Sequence, residues 1–255
     1  MSDIRLGSMI IEDAGDGTAV VMVHGLGGSS NSFQPLIGRL EGYRVLRPDL
    51  PGAGRSAVRP GLAALTQLAS AVRDGVRAAG VERAHFVGHS MGTLICQYLA
   101  ATRPETVVSL ALFGPILEPP AAAREALRER AESARSAGMA GIADAVSTGS
   151  VAAGHPTAAA FVRESLMGQD PTGYAAHCAA LSAAEAADHA AIRCPTLLVA
   201  GDNDPVAPVD MARRLQQAIT GARLEIVAGV GHWMMLEAPQ RSAELLRAHL
   251  DETAL

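Results

Sequence analysis

A chain of 255 residues with 49% apolar and 18% charged positions carries enough apolar surface for one large core, which excludes a disordered chain and a small disulfide-stapled scaffold. Its formal charge of −5, without a basic run, excludes the electrostatic footprint of a nucleic-acid or anionic-membrane binder. All 21 cationic residues are arginine, so a Schiff-base lysine, a Ser-Lys dyad and a P-loop lysine are ruled out together.

The first apolar run, Ile4 to Glu12, precedes Gly15-Asp16-Gly17 with no helix before Val20 to Val23, which predicts an antiparallel hairpin at the start of a sheet. Tyr43 to Leu46, Ala84 to Val87, Val107 to Phe113, Thr196 to Ala200 and Leu224 to Val227 are short, mostly apolar runs. Strands buried on both faces have this pattern. Helix-length stretches stand between most of them, among them Leu62 to Ala79, Ser90 to Arg103 and Val209 to Ile219. The alternation predicts an α/β fold with a mostly parallel sheet.

Residues 115 to 190 break that alternation: they are alanine-rich and helix-forming, without a convincing strand. They predict a helical insertion into a core made of residues 1–114 and 191–255. After Pro119-Pro120, Leu127, Ala131 and Ala134 fall at i, i+4 and i+7, with Arg124, Arg128, Glu129 and Glu132 on other faces, until Gly138 ends the helix. Thr157 is the predicted cap of a helix running to Met167, and Asp170-Pro171 a cap with a first-turn proline for the next.

Cys96, Cys178 and Cys194 are odd in number and not closely paired, which speaks against a disulfide framework or a zinc site and for a reducing compartment. The residues Met1 to Leu6 lack a basic region leading into an apolar stretch, and no eighteen apolar residues run uninterrupted. A cytoplasmic protein is expected, with no metal, no cofactor, no nucleic-acid partner and no membrane partner. The oligomeric state is left open.

The chemistry concentrates at Gly88-His89-Ser90-Met91-Gly92, which follows one predicted strand and opens a predicted helix. A G-x-S-x-G segment in that context presents its serine on a sharp turn, and the glycines two residues either side let strand and helix approach without colliding Cβ atoms. Ser90 is the candidate nucleophile. A serine hydroxyl needs a base, and the base an orienting acid. His232, in Gly229-Val230-Gly231-His232-Trp233 after a late strand, is the candidate base; Asp202 and Asp204, in the loop after Thr196 to Ala200, are both candidates for the acid. The amides of Met91 and of Leu26, in His24-Gly25-Leu26-Gly27-Gly28, are the predicted oxyanion donors. A dinucleotide fingerprint in that second segment fails on spacing, because Ser30 stands where its third glycine belongs.

These residues, with Arg47-Pro48-Asp49-Leu50-Pro51-Gly52-Ala53-Gly54-Arg55-Ser56, Gly201-x-x-Asp204-x-x-x-Pro208 and Gly231-His232-Trp233-Met234-Met235-Leu236-Glu237-Ala238-Pro239, resemble the α/β-hydrolase superfamily along essentially the whole chain. The resemblance implies an α/β-hydrolase fold, a mostly parallel sheet flanked by helices with an inserted helical lid, and it selects Asp204 as the acid with Asp202 as the spare. Asp170-Pro171-Thr172-Gly173-Tyr174 and Cys178-Ala179-Ala180-Leu181 are similar to the lid of 3-oxoadipate enol-lactonases. It therefore implies a serine hydrolase of a small ester or lactone. Perhydrolase, haloperoxidase or carbon–carbon bond hydrolase chemistry with the same triad is the alternative, and a non-catalytic ligand-binding module a further one. A dicarboxylic lactone also needs a cation near the pocket, for which Arg124 and Arg163 are the candidates.

Overall fold

In the computed structural model, residues 2–6 and 9–253 are described, and the predicted apolar runs become strands of one eight-stranded sheet. In chain order the elements are β1 (Ser2–Leu6), β2 (Met9–Ala14), β3 (Thr18–Val23), α1 (Gln34–Ile37), β4 (Tyr43–Asp49), α2 (Leu65–Ala78), β5 (Ala84–His89) and α3 (Met91–Thr102). They continue as β6 (Val107–Phe113), α4 (Ala121–Ala137), α5 (Ala140–Ser150), α6 (Pro156–Met167), α7 (Pro171–Ser182), β7 (Thr196–Gly201), α8 (Val209–Ala218), β8 (Arg223–Val227), α9 (Met234–Glu237) and α10 (Pro239–Glu252). The spatial order is β1-β2-β4-β3-β5-β6-β7-β8, and all pairings from β4 through β3 to β8 are parallel. Every residue of β5, β6 and β7 is buried, as expected of strands covered on both faces. The helices group accordingly: α2 packs on α3, which lies on β5 and β6, while α1, α9 and α10 pack together.

The antiparallel hairpin predicted at the start of the sheet is present, formed by β1 and β2 and not by the first run with β3. The run Ile4 to Glu12 folds back on itself as β1 and β2, and β2 then pairs antiparallel with β4, not with β3. Gly15 and Gly17 serve a different purpose from a tight hairpin turn. Both have positive φ, and a Cβ at either would stand 2.3 Å from a carbonyl oxygen, of Tyr43 and Gly42 respectively. The connection crosses the start of β4 so closely that only glycine fits.

β4 runs three residues past its predicted end because Arg47 and Asp49, which look like loop residues, are buried in an ion-pair network. Arg47 pairs with Glu12 and donates to the Ser30 carbonyl at 2.9 Å and to Gln34 Oε1 at 2.8 Å. Arg55 bridges Glu12 and Asp49 at 2.9 Å each, and Asp49 accepts the Ser30 amide at 2.7 Å. The stretch from Arg47 to Arg55 thereby anchors the segment that follows β3. Arg47→Ala is expected to destabilise the protein by about 3–5 kcal/mol in urea unfolding, since it leaves buried charge uncompensated. A loss below about 1 kcal/mol would show that Arg55 suffices.

Helices α4 to α7 stand between β6 and β7. The stripe Leu127, Ala131 and Ala134 is buried, α4 packs on α7, and Gly138 closes α4 at φ +75°. Asp170 caps α7 by accepting the amides of Thr172 and Gly173 at 2.8 and 3.0 Å. Thr157 does not cap α6. That helix starts one residue earlier, at Pro156, whose fixed φ and missing N–H suit the first turn and leave Thr157 inside it.

Candidate active site

The strand order changes sides about β3, since β4 lies to one side of it and β5 to the other, and all three run parallel. Such a switch point opens a crevice. Ser90 follows β5 directly and has φ +51° and ψ −120°, the one positive φ outside glycine among the described residues. Strain of this kind costs about 1–3 kcal/mol and persists where the surroundings enforce it. Here they do. The Ser90 amide donates to the Phe113 carbonyl at 3.0 Å, and its own carbonyl accepts the Thr93 amide at 2.8 Å and the Thr93 hydroxyl at 2.6 Å. Glycine is required on both sides: a Cβ on Gly88 would stand 2.7 Å from the Gly92 carbonyl oxygen, and one on Gly92 2.1 Å from that of Val23.

The loop after β3 approaches the same serine. A Cβ on Gly25 would stand 2.8 Å from the Ser90 Cβ, and one on Gly27 2.3 Å from Leu166 on α6. His24 holds this loop as a buried neutral imidazole, for Nδ1–H donates to the Gly25 carbonyl at 2.8 Å and Nε2 accepts the Leu50 amide at 3.0 Å. Burial lowers its pKa, against the opposing effect of the Gly25 carbonyl and Asp49. Among the described residues the amides of Leu26 and Met91 donate to no protein acceptor.

Asp204 and His232 meet from the loops after β7 and β8. His232 Nδ1–H donates to Asp204 Oδ2 at 2.8 Å, with both side chains buried, and Asp204 Oδ1 accepts the amides of Val206 and Ala207 at 2.7 and 2.9 Å. Burial by itself would raise the Asp204 carboxyl, but His232 and the two amides outweigh it and hold the pKa below the usual carboxylate value. With Nδ1 carrying the proton, the neutral imidazole has Nε2 as its free base. Asp202 is placed elsewhere: it accepts the Gly229 amide at 2.7 Å and so forms the turn that precedes His232.

Three further groups position this pair. Glu237 accepts the amides of Gly231, Trp233 and Ala152 at 2.8, 2.9 and 2.9 Å, clasping His232 from both sides and tying its loop to the end of α5. His89 Nε2–H donates to the His232 carbonyl at 2.9 Å. Gly114, at φ +56°, lies so near that a Cβ would stand 3.1 Å from His232 Cε1 and Nδ1 and 3.5 Å from Asp204 Oδ2. In the sequence, Gly114 is marked only by its position after a strand, whereas Glu237 lies within the Gly231 to Pro239 segment that carries the family resemblance, though with no role assigned to it there. Gly114→Ala is expected to lower kcat about 10–100-fold with the protein still folded, because a small displacement of a reacting group is costly. A change under about twofold would show that the pair has room to move.

Ser90, His232 and Leu26 line one cavity of about 170 Å³ together with Ile116, Leu127, Val146, Tyr174, Leu181, Trp233 and Arg130. Neither candidate cation lines it, in keeping with the alternative that both are surface arginines. Arg124 donates to the Ser182 carbonyl at 2.8 Å beside Glu118, and Arg163 pairs with Asp144 at 2.7 Å. Arg130 lines the cavity instead. It follows Ala123, Ala126 and Leu127 at i+7, i+4 and i+3 on one face of α4, a spacing visible in the sequence once that face is known.

A parallel sheet with a strained serine after its central strand, and a buried histidine–aspartate pair from later loops, defines a class of hydrolase scaffold. The sequence profile of the alpha/beta hydrolase family matches residues 20–245, and the chain belongs to that family. It is 29% identical over 237 residues to the 3-oxoadipate enol-lactonase 1 of Acinetobacter baylyi, covering 89% of this chain and 86% of that one. It is 24% identical over 245 residues to the (E)-2-((N-methylformamido)methylene)succinate hydrolase of the same organism, covering 94% and 93%. Among solved structures, the enol-lactonase of Burkholderia xenovorans LB400 superposes with a TM-score of 0.90 at 27% identity over 98% of this chain and 100% of that one. A thermophilic esterase from Thermogutta terrifontis, 23% identical with both chains covered completely, shares the fold at a TM-score of 0.94. Among the described residues no helix is long and apolar enough to cross a membrane.

Proposed function

We propose that this protein is a serine hydrolase of a small carboxylic ester or lactone, acting through Ser90, His232 and Asp204. The observation that carries this reading is the buried His232–Asp204 hydrogen bond beside a strained serine in one cavity. His232 Nε2 takes the Ser90 proton as Oγ attacks the carbonyl, and Asp204 keeps Nδ1 protonated and stabilises the imidazolium that forms. The amides of Leu26 and Met91 hold the developing oxyanion. His232 then gives its proton to the leaving alkoxide. The same histidine activates a water that releases the acid from Ser90. With a lactone, the alcohol stays attached to the acyl group and a single open-chain product leaves.

Helices α4 to α7 serve as the lid of this site, since Leu127, Arg130, Val146, Ser150, Tyr174 and Leu181 supply one wall of the cavity. The mostly apolar wall suits a short aliphatic acyl chain. The test is the rate on 3-oxoadipate enol-lactone beside that on a short p-nitrophenyl ester, with Ser90→Ala as the blank. Turnover of either above the blank supports the hydrolase. Preference for the lactone assigns the lactonase. Peracid formation from acetate and peroxide with neither substrate hydrolysed would replace this reading with a perhydrolase.

A further inference from the structure

Five arginines lie on α4 and α6, and four of them have acidic partners: Arg124 with Glu118, Arg128 with Glu125, Arg135 with Glu132 and Arg163 with Asp144. Arg130 differs. Among the described residues it forms no ion pair, it is only half-exposed, and no carboxylate lines the cavity it faces. The remaining wall is chiefly Ile116, Leu127, Val146, Leu181 and Trp233. A permanent cation held against such a wall loses hydration without regaining a counter-charge, which is unfavourable unless a ligand brings one. Tyr174, 2% exposed, lines the same cavity, and its hydroxyl lies near both the guanidinium and the Cys178 thiol, so that an O–H is at hand there. A planar guanidinium with a neighbouring hydroxyl matches the two oxygens of a carboxylate.

We infer that Arg130, with Tyr174, forms a carboxylate subsite in the cavity of Ser90, so that the substrate is an ester or lactone bearing a free carboxylate away from the scissile bond. The inference rests on the serine-hydrolase reading for its kinetic consequences but not for binding. Because the guanidinium holds the carboxylate in ground state and transition state alike, its loss raises KM and leaves kcat largely unchanged. An anionic substrate also gives the site a preference that an apolar cavity by itself lacks.

The test pairs the monomethyl esters of succinate, glutarate and adipate with methyl butanoate, pentanoate and hexanoate, which match them in acyl length and lack the carboxylate. Binding to Ser90→Ala is followed through the fluorescence of Trp233, the chain's single tryptophan, which lines the cavity. At least one hemiester is expected to bind 10-fold or more tightly than its neutral partner. Arg130→Gln in the same background should abolish the difference, and Arg130→Lys should keep part of it. In the wild-type enzyme, Arg130→Gln should raise KM for that hemiester about 10–100-fold while kcat/KM for the neutral ester stays within about threefold. Equal binding of the two series, or equal effects of Arg130→Gln on both, would overturn the subsite while leaving the serine hydrolase intact. Hemiester binding that depends on Arg130, in a protein that hydrolyses no ester, would uphold the subsite and overturn the hydrolase reading.

Discussion

Ser90→Ala is expected to lower kcat for ester or lactone hydrolysis by about 10⁴-fold or more, the scale seen when a nucleophile is removed from a triad. His232→Ala should do the same. The double variant should be hardly worse than either single one, because the serine and its base act as a unit and each is idle without the other. Asp204→Asn should cost about 10⁴-fold by a different route: an amide at that position favours the imidazole tautomer with the proton on Nε2, which cannot accept from Ser90. Steady-state kinetics of variants shown to be folded by circular dichroism is the measurement. Residual activity above about one percent in Ser90→Ala or His232→Ala would remove those residues from the mechanism.

The second large effect is on stability in mild acid. Burial holds the pKa of His85, His177 and His249 down at about 4 and that of His89 at about 3, against 6.5 for an unperturbed imidazole. Burial also lowers the pKa of His24 and His189. The geometry is consistent with neutral rings: His177 Nε2–H donates to the Pro51 carbonyl at 2.8 Å, and among the described residues the second nitrogens of His85 and His89 are buried without a partner. Between pH 6.5 and these lowered values the unfolded chain binds protons that the folded one refuses. Stability therefore rises with pH through that window and is lost as pH falls below 6.5.

Each histidine that titrates fully contributes about 1.4 kcal/mol per pH unit. Two or three of them suffice to remove much of a stability of about 5–15 kcal/mol before pH 4. Asp49 and Asp204, both held below the usual carboxylate value, extend the loss in the same direction as pH falls through their folded pKa values. Urea unfolding from pH 7 to pH 5 should show a steep fall and an uptake of more than one proton on unfolding. A stability unchanged over that range would contradict neutral burial of these rings.

The amino-acid sequence by itself determined the class of fold and singled out Ser90, His232 and Asp204, the residues on which the proposed chemistry rests. Short, mostly apolar runs separated by helix-length stretches point to a parallel sheet because burial on both faces selects apolar residues within each run. The Ser90 turn is only partly local: a Cβ on Gly88 would clash with Gly92 four residues on, whereas one on Gly92 would clash with Val23 on the neighbouring strand β3. What tertiary structure decided involves contacts between segments far apart in the chain. Loop position by itself leaves Asp202 and Asp204 open; the family resemblance selects Asp204, and the contact it makes with His232 depends on where the loops after β7 and β8 come together. The pairing of β2 with β4 depends on Arg47 finding Glu12 across the sheet.

Arg130 carries the same lesson. Arg124, Arg128 and Arg135 share its helix and its composition, and an acidic neighbour within a few residues sequesters each of them. Only the packing of α4 on α7 and α5 brings the face of Ala123, Ala126, Leu127 and Arg130 into the cavity that Ser90 lines. Periodicity defines which residues share a face of a helix; which way that face points is set by the burial of Leu127, Ala131 and Ala134 against the rest of the molecule.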